Sequence, residues 1–278
     1  MTETPTTPTT PTTGEPAKPS TVTVVAVHGN GGGSTRFDRV RTDLGDGIRF
    51  VAVDLPGFNG VPLDPSLRDV AAYADHLAGL LVQAAGDGDG GTDGAARPPV
   101  VLGHGIGGSI ALDLASRRPE TMSGLILHAP VGADLDTRLF PKIMSTRPVR
   151  ELIRRAISAR LLRPVWRRVF FPIGAPNADL DVFFEGYRSC EAFGQMFEII
   201  DAEWFEALEP ITALPTVLLW GEHDRVLKSG QTDGIASKAP AAKRVIEAGW
   251  DHFPMIEQPE EYADVIQRLA RTLATPAT

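Results

Sequence analysis

Short apolar runs rich in β-branched residues alternate along the chain with longer stretches that repeat apolar residues at helical spacing. The short runs are typical of buried strands, and the longer stretches are typical of amphipathic helices. We predict strands at Thr21–Val27, Ile48–Asp54, Pro99–Gly103, Gly124–His128, Thr216–Gly221 and Arg244–Glu247. We predict helices at Thr35–Leu44, Ser66–Ala85, Ile106–Arg117, Gly230–Lys238 and Pro259–Leu273.

This alternation predicts an α/β fold in which helices cover both faces of a mostly parallel sheet. In such sheets the functional groups gather outside the carboxyl ends of the strands. One segment, residues 131–214, breaks the alternation because it is helical and rich in aromatic residues. We predict that residues 131–214 form an inserted helical cap on a core made of residues 21–130 and 215–278.

Residues 1–20 consist mainly of threonine and proline and contain no aromatic or branched apolar side chain. Such a segment cannot bury enough apolar surface to offset its ordering entropy, so we predict a disordered tail. It also lacks the apolar core of a secretory signal, which leaves a cytoplasmic location as the expectation. The single cysteine, Cys190, excludes an intramolecular disulfide and fits a reducing compartment.

Charge and hydropathy narrow the classes of partner. The chain has a formal net charge of −8 at pH 7, which argues against general nucleic-acid binding. It has no run of about 18 apolar residues, so we expect no membrane span. We therefore expect a small hydrophobic molecule as the partner, with no nucleic acid and no membrane. The sequence leaves the oligomeric state open.

The stretch "VVLGHGIGGSIALDLA", from Val100 to Ala115, combines a strand, a glycine-rich turn and a helix. This is the pattern of a G-x-S-x-G nucleophile elbow, except that residue 105 is glycine. Gly103-x-Gly105-x-x-Gly108 also matches a dinucleotide-binding fingerprint, so nucleotide binding is an alternative. Against it, the next strand ends in Leu127-His128-Ala129-Pro130 and lacks the acid that binds the ribose.

Three segments, the third of which is a pair of loops, together resemble the α/β-hydrolase superfamily, and the resemblance extends from Thr21 to Leu273. His28-Gly29 is similar to the family's oxyanion-loop motif, and "GHGIGG" stands where members carry G-x-S-x-G-G. "GEHD" resembles the turn that presents the catalytic acid, and "GWDHFPMIEQPEEY" resembles the terminal histidine loop. The resemblance implies an α/β-hydrolase fold, in which a mostly parallel sheet is flanked by helices and carries an inserted helical cap.

The same resemblance implies roles for five residues. Asp224 would be the catalytic acid and His252 the general base, in the chain order usual for the family. The backbone N–H groups of Asn30 and Ile106 would form the oxyanion hole, with Gly105 at the nucleophile position. Glycine has no oxygen to attack a carbonyl, so no acyl-enzyme can form through residue 105.

The base, the acid and the oxyanion donors can still activate water or remove a substrate proton. We therefore expect a cofactor-free hydrolase or lyase that acts on a small hydrophobic carbonyl or ester compound. One alternative is a catalytically inactive ligand-binding or regulatory relative, because glycine relieves the backbone strain of an elbow. Another is an ordinary serine hydrolase whose serine was deliberately replaced by glycine.

Several other residues are candidates for the site. Ser109 and Cys190 are alternative nucleophiles, and Asp54 is an alternative auxiliary acid. We expect no metal, although histidines near the strand ends leave a metal site as an alternative. Nine arginines lie between Arg138 and Arg168, where we expect solvated helix faces, with an anionic substrate as the alternative. The candidates for substrate binding are His104, His128, Phe183 and Trp204.

Overall fold

The computed structural model describes residues 21–86, 97–135, 139–144 and 146–275, and the predicted tail at residues 1–20 lies outside this part. Six strands form one sheet in the order β2-β1-β3-β4-β5-β6, and every neighbouring pair is parallel. This arrangement confirms the predicted α/β-hydrolase fold. The strands are β1 (Val22–Val27), β2 (Ile48–Val53), β3 (Val100–His104), β4 (Gly124–His128), β5 (Thr216–Gly221) and β6 (Lys243–Glu247).

Each strand lies within one residue of its predicted bounds. The three strands at the centre, β3, β4 and β5, are buried at every position. This explains why they are continuous apolar runs in the sequence. The parallel register places His104 at the end of β3 beside His128 at the end of β4.

Helices pack on both faces of the sheet and fill the connections between strands. Helix α3 matches its prediction at both ends, whereas α2 begins four residues after the predicted Ser66. Ser66 instead donates through its backbone N–H and its hydroxyl to Asp64, which closes a local turn. In the core, the helices are α1 (Asp38–Asp43), α2 (Val70–Gly86), α3 (Ile106–Arg117), α10 (Thr232–Ala236), α11 (Pro254–Glu257) and α12 (Pro259–Ala274).

Residues 131–214, here called the insert, leave the sheet after β4 and return to it at β5. The described helices of the insert are α4 (Leu139–Met144), α5 (Arg147–Ser158), α6 (Arg163–Phe170), α7 (Asn177–Ser189), α8 (Phe193–Ile199) and α9 (Ala202–Ala207). Within the described ranges, no helix has both the length and the apolar character needed to cross a membrane.

Hydrogen bonds attach the insert to the core at separate points. Gln195 in α8 donates through Nε2 to the backbone oxygen of Leu67 at 2.6 Å. Glu257 in α11 accepts through Oε1 from the backbone N–H groups of residues 173 and 174, at 3.0 and 3.3 Å. Because α11 directly follows the histidine loop, the second contact joins the insert to the neighbourhood of His252.

Candidate active site

The turn between β3 and α3 is built on Gly105, whose backbone has φ 54° and ψ −120°. The Gly105 N–H donates to the backbone oxygen of His128 at 3.0 Å, and its carbonyl accepts from Gly108 N–H at 3.0 Å. Glycine adopts this positive φ without the strain that a side chain would introduce. A Cβ at position 105 would lie 3.5 Å from Gly29 Cα, which is an ordinary contact. The turn therefore has open space where a side chain would project.

His252 and Asp224 form a buried pair, although they lie on separate loops. His252 Nδ1 is 2.8 Å from Asp224 Oδ2, and the two side chains are 7% and 0% exposed. A carboxylate only accepts, so Nδ1 carries the hydrogen and Nε2 is the unprotonated nitrogen of the neutral ring. Asp224 is held in turn by its other oxygen, which accepts from the backbone N–H groups of Val226 at 2.9 Å and Leu227 at 2.7 Å.

A second carboxylate, Asp251, connects the two loops that carry this pair. Its Oδ1 accepts from the backbone N–H of His252 at 2.8 Å and from that of Arg225 at 3.1 Å. Its Oδ2 lies 3.1 Å from the Arg225 guanidinium. The sequence analysis missed this residue. Its only signal was an acid directly before the histidine in "GWDHF".

His104 is hydrogen-bonded to the loop that carries His252. Its Nε2 donates to the backbone oxygen of His252 at 3.1 Å, and the two rings lie 4.7 Å apart. Burial holds the pKa of His104 well below its usual value, and a positive charge on His252 would lower it further. His104 is therefore a neutral donor at pH 7.

His128 and His28 are also buried beside the turn. His128 Nδ1 is 3.1 Å from the Tyr262 hydroxyl, and burial keeps the pKa of His128 well below its usual value. His28 accepts from Leu55 N–H through Nε2 at 3.3 Å and donates from Nδ1 to the Gly29 oxygen at 3.0 Å. Burial lowers the pKa of His28 to about 4, consistent with this neutral tautomer.

Asn30 and Ile106, whose backbone N–H groups are the predicted oxyanion donors, border the same cavity as Gly105. Ile106 is the first residue of α3, so its N–H has no acceptor within the helix. Asn30 lies in the loop after β1, and its side-chain Nδ2 donates to the Phe193 oxygen at 3.2 Å. That bond links the β1 loop to α8 of the insert.

A cavity of about 160 Å³ lies between the strand ends and the insert. Gly105, His252, Asn30 and Ile106 all border it, and so does His104. The opposite side is apolar and comes mainly from the insert. Its lining there includes Ile153, Ile157, Phe170, Phe193, Met196 and Ile200.

The remaining predicted site residues lie outside this lining. Asp224 lies behind His252, and His128 is covered by neighbouring rings. Phe183 packs against Phe253, with ring centroids 5.0 Å apart. Trp204 donates from Nε1 to Asp113 Oδ2 at 2.9 Å, on α3. Among the lining residues, the sequence analysis missed Arg36, Tyr187 and the apolar residues of α5 and α8.

The alternative nucleophiles and the alternative acid have other partners. Ser109 donates to the backbone oxygen of Val131 at 2.6 Å. Cys190 is buried, and burial raises the pKa of its thiol to about 12. Asp54 accepts from the backbone N–H and the hydroxyl of Ser34 at 2.6 and 2.8 Å, which fastens the β1 loop to the end of β2. In the part of the chain that the structure describes, no group of three or more side chains is placed to hold a metal ion.

The described arginines at positions 147–168 do not border the cavity. Arg154 and Arg155 pair with Glu151 at 2.7 and 2.6 Å, and these contacts lower the pKa of Glu151 to about 2. Arg147 pairs with Glu198 at 2.9 Å. Arg138 lies outside the described residues.

The parallel sheet, the turn at Gly105 and the Asp–His pair that follows it in the chain define an α/β-hydrolase architecture. The chain belongs to the alpha/beta hydrolase family, whose model matches residues 24–265. It is 26% identical over 269 residues to a pimeloyl-acyl-carrier-protein methyl ester esterase of Aromatoleum aromaticum, covering 89% of this chain and 98% of that protein. It is 26% identical over 250 residues to Lipase 1 of Psychrobacter immobilis, covering 87% and 74%.

Solved structures agree with this assignment at the level of the fold. An epoxide hydrolase from Bacillus megaterium superposes with a TM-score of 0.70 at 17% identity, covering 91% of this chain and 95% of that one. An esterase from Exiguobacterium antarcticum gives a TM-score of 0.68 at 16% identity, covering 91% and 93%.

Proposed function

We propose that this protein is a cofactor-free hydrolase or lyase for a small, largely apolar carbonyl or ester compound, with His252 as general base. The proposal is carried by one observation, the buried His252–Asp224 pair at 2.8 Å beside an apolar cavity. Asp224 fixes the ring so that the unprotonated Nε2 is the nitrogen available to a reactant. A base held in this way can take a proton from water or from the substrate.

Gly105 stands at the nucleophile position in this proposal. The space above it, where a Cβ would meet only Gly29 at 3.5 Å, has room for a water molecule or a substrate group. The backbone N–H groups of Asn30 and Ile106 then stabilise the charge that develops on the carbonyl oxygen. In hydrolysis, water attacks the carbonyl carbon while His252 accepts its proton, and the leaving alkoxide takes that proton back. The insert acts as a cap that excludes bulk water from the reacting groups.

A second candidate function is ligand binding without catalysis. The observation that favours it is the backbone of Gly105, which glycine holds at φ 54° without strain. A protein released from the need for a serine would gain stability at this position. The apolar cavity would then serve as a receptor site.

The test is turnover of short-chain p-nitrophenyl esters by the wild-type protein, His252→Ala and His223→Ala. A triad that loses its nucleophile keeps about 10³–10⁴-fold over the uncatalysed rate. We expect the wild type to show an acceleration of that order, without a burst of p-nitrophenol. His252→Ala is expected to lose it.

His223→Ala is the matched control because His223 is exposed beside Asp224 and does not border the cavity. We expect it to retain wild-type turnover. Equal turnover by wild type and His252→Ala would refute hydrolysis by this site. The second candidate would then be favoured if a ligand binds His252→Gln as tightly as it binds the wild type.

A further inference from the structure

Arg36 is a buried arginine on the wall of the cavity that contains His252 and Gly105. It lies in the short 3₁₀ turn Ser34–Phe37, just after the loop that carries Asn30. Only 5% of the residue is exposed, and it borders the same cavity as His252. Arginine is almost never buried to this degree without a partner for its charge.

No carboxylate of the described residues lies within ion-pair distance of Arg36. Nη2 donates to the backbone oxygen of Asn30 at 3.4 Å, which is a long contact, and the Tyr187 hydroxyl is a further partner. Nε is buried and has no hydrogen-bond partner in the described part of the chain. A guanidinium carries five N–H donors, so these two contacts leave several donors unused. Burial accordingly lowers the pKa of Arg36 from its ordinary value.

Aromatic rings and a glycine surround the guanidinium. Its carbon lies 4.6 Å from the ring centroid of Phe183 and 5.3 Å from that of Phe253. A Cβ at Gly32 would lie 2.7 Å from the same carbon, so a side chain at this position would displace the guanidinium. These contacts hold the guanidinium in one place without neutralising its charge.

The described part of the cavity wall supplies no carboxylate to balance Arg36. Among the described residues, the lining contains no aspartate, glutamate or lysine. The neighbouring His104 is neutral because burial lowers its pKa. Arg36 also borders a second, smaller groove, where Asp38, Asp179 and Arg39 lie and the Arg39 guanidinium pairs with Asp179 at 3.3 Å. Among the described residues, no carboxylate therefore opposes this positive charge in the lining of the cavity.

We infer that Arg36 binds a carboxylate, or another small anionic group of the same shape, on the molecule that occupies this cavity. The occupant is then an apolar carbonyl compound with one anionic group, rather than a neutral ester. The planar fork of the guanidinium suits a two-oxygen anion. This inference rests on the proposed function only in taking the cavity as the substrate site.

The experiment measures equilibrium binding of benzoate and of benzamide, its neutral counterpart of the same shape, by isothermal titration calorimetry. Cavities of about 150 Å³ hold a benzene ring, so both probes match the size of this one. A hydrogen bond to a charged group makes binding about 10- to 100-fold tighter, and we expect benzoate to exceed benzamide by that ratio in the wild type. Arg36→Met keeps the length of the side chain and should bring the ratio to about one.

Arg39→Met is the matched control, because it removes the same charge three residues after Arg36. The Arg39 side chain borders only the smaller groove. It should keep the wild-type ratio. Equal ratios in the wild type and Arg36→Met would overturn the inference. If Arg36→Met does not fold, a wild-type ratio of benzoate affinity to benzamide affinity below about three still overturns the inference. Arg36→Lys keeps the charge and should bind benzoate more tightly than benzamide.

Binding is measured without turnover, so this result and the ester assay are independent. A protein that prefers benzoate through Arg36 but hydrolyses nothing would support this inference and contradict the proposed function. Ester turnover that depends on His252, together with equal binding of the two probes, would do the reverse.

Discussion

The open space above Gly105 makes a direct prediction about Gly105→Ser. A serine Cβ would meet only Gly29 Cα at 3.5 Å, so this atom fits without displacing its neighbours. The backbone is the obstacle, because φ 54° is unfavourable for any residue with a side chain. Such strain costs about 1–3 kcal/mol. At about 2–4 °C per kcal/mol for a domain of similar size, Tm should fall by about 2–12 °C.

The hydroxyl should more than compensate in activity. Gly105 and His252 border the same cavity, and the His252–Asp224 pair is already in place at 2.8 Å. Removing the nucleophile from an intact triad costs about 10⁶-fold in kcat. A serine restored to an otherwise prepared site should therefore raise the hydrolysis of p-nitrophenyl acetate by at least about 10²-fold. It should also produce a burst of p-nitrophenol and an acyl adduct visible by mass spectrometry.

Gly105→Ala is the matched control because it carries the same Cβ and the same backbone strain but no oxygen. We expect the two variants to lose similar stability in urea titrations while only the serine variant gains activity. A folded Gly105→Ser that hydrolyses no faster than Gly105→Ala and forms no adduct would refute the reasoning. It would show that Nε2 and the backbone donors do not converge on the space above residue 105.

Three further predictions concern stability. Burial lowers the pKa values of His28, His104 and His128 in the folded state. Below pH 6.5, the ordinary pKa of histidine, the unfolded state therefore binds more protons than the folded state, and stability should decrease as the pH is lowered from 6.5 towards 4. Burial raises the pKa of Glu257 from its ordinary value of 4.5 to about 7, so this group by itself stabilises the fold as pH falls from 7 to 4.5. Glu257→Gln should therefore make stability fall more steeply with acid. The pH dependence of urea midpoints measures the number of protons taken up on unfolding. Net uptake of about two protons near pH 5.5 would support the lowered histidine pKa values and the raised pKa of Glu257, and net release would contradict them. Asp251→Ala leaves two backbone N–H groups without their acceptor and should cost at least about 2 kcal/mol in the same titration, whereas Asp251→Asn should cost less.

The sequence predicted the sheet well because a strand buried on both faces is apolar at most of its positions. The runs at β3, β4 and β5 are of this kind, and their bounds were predicted within one residue. The start of α2 was predicted less well because Ser66 has a competing local partner in Asp64. That hydrogen bond depends on local geometry, which apolar periodicity does not describe.

The cavity wall could not be predicted to the same degree. Aromatic residues of the insert were obvious candidates, yet Phe183 packs on Phe253 and Trp204 binds Asp113. The packing of the insert on the core decides which face of each helix lines the cavity. Arg36 was missed for a different reason, since a charged residue in a loop is usually exposed. Only the packing of Phe183 and Phe253 around it shows that it is buried.

The insert between β4 and β5 divides the molecule into two parts that can vary separately. Gly105, Asp224, His252 and the β1 loop all belong to the core, whereas the insert supplies most of the apolar wall. Substitutions in α5 or α8 can reshape the space for a ligand without moving the base. Arg36 is on the core side of this division. If Arg36 binds an anion as proposed, a lineage that exchanged its insert would change the apolar part of its ligand and keep the preference for an anion.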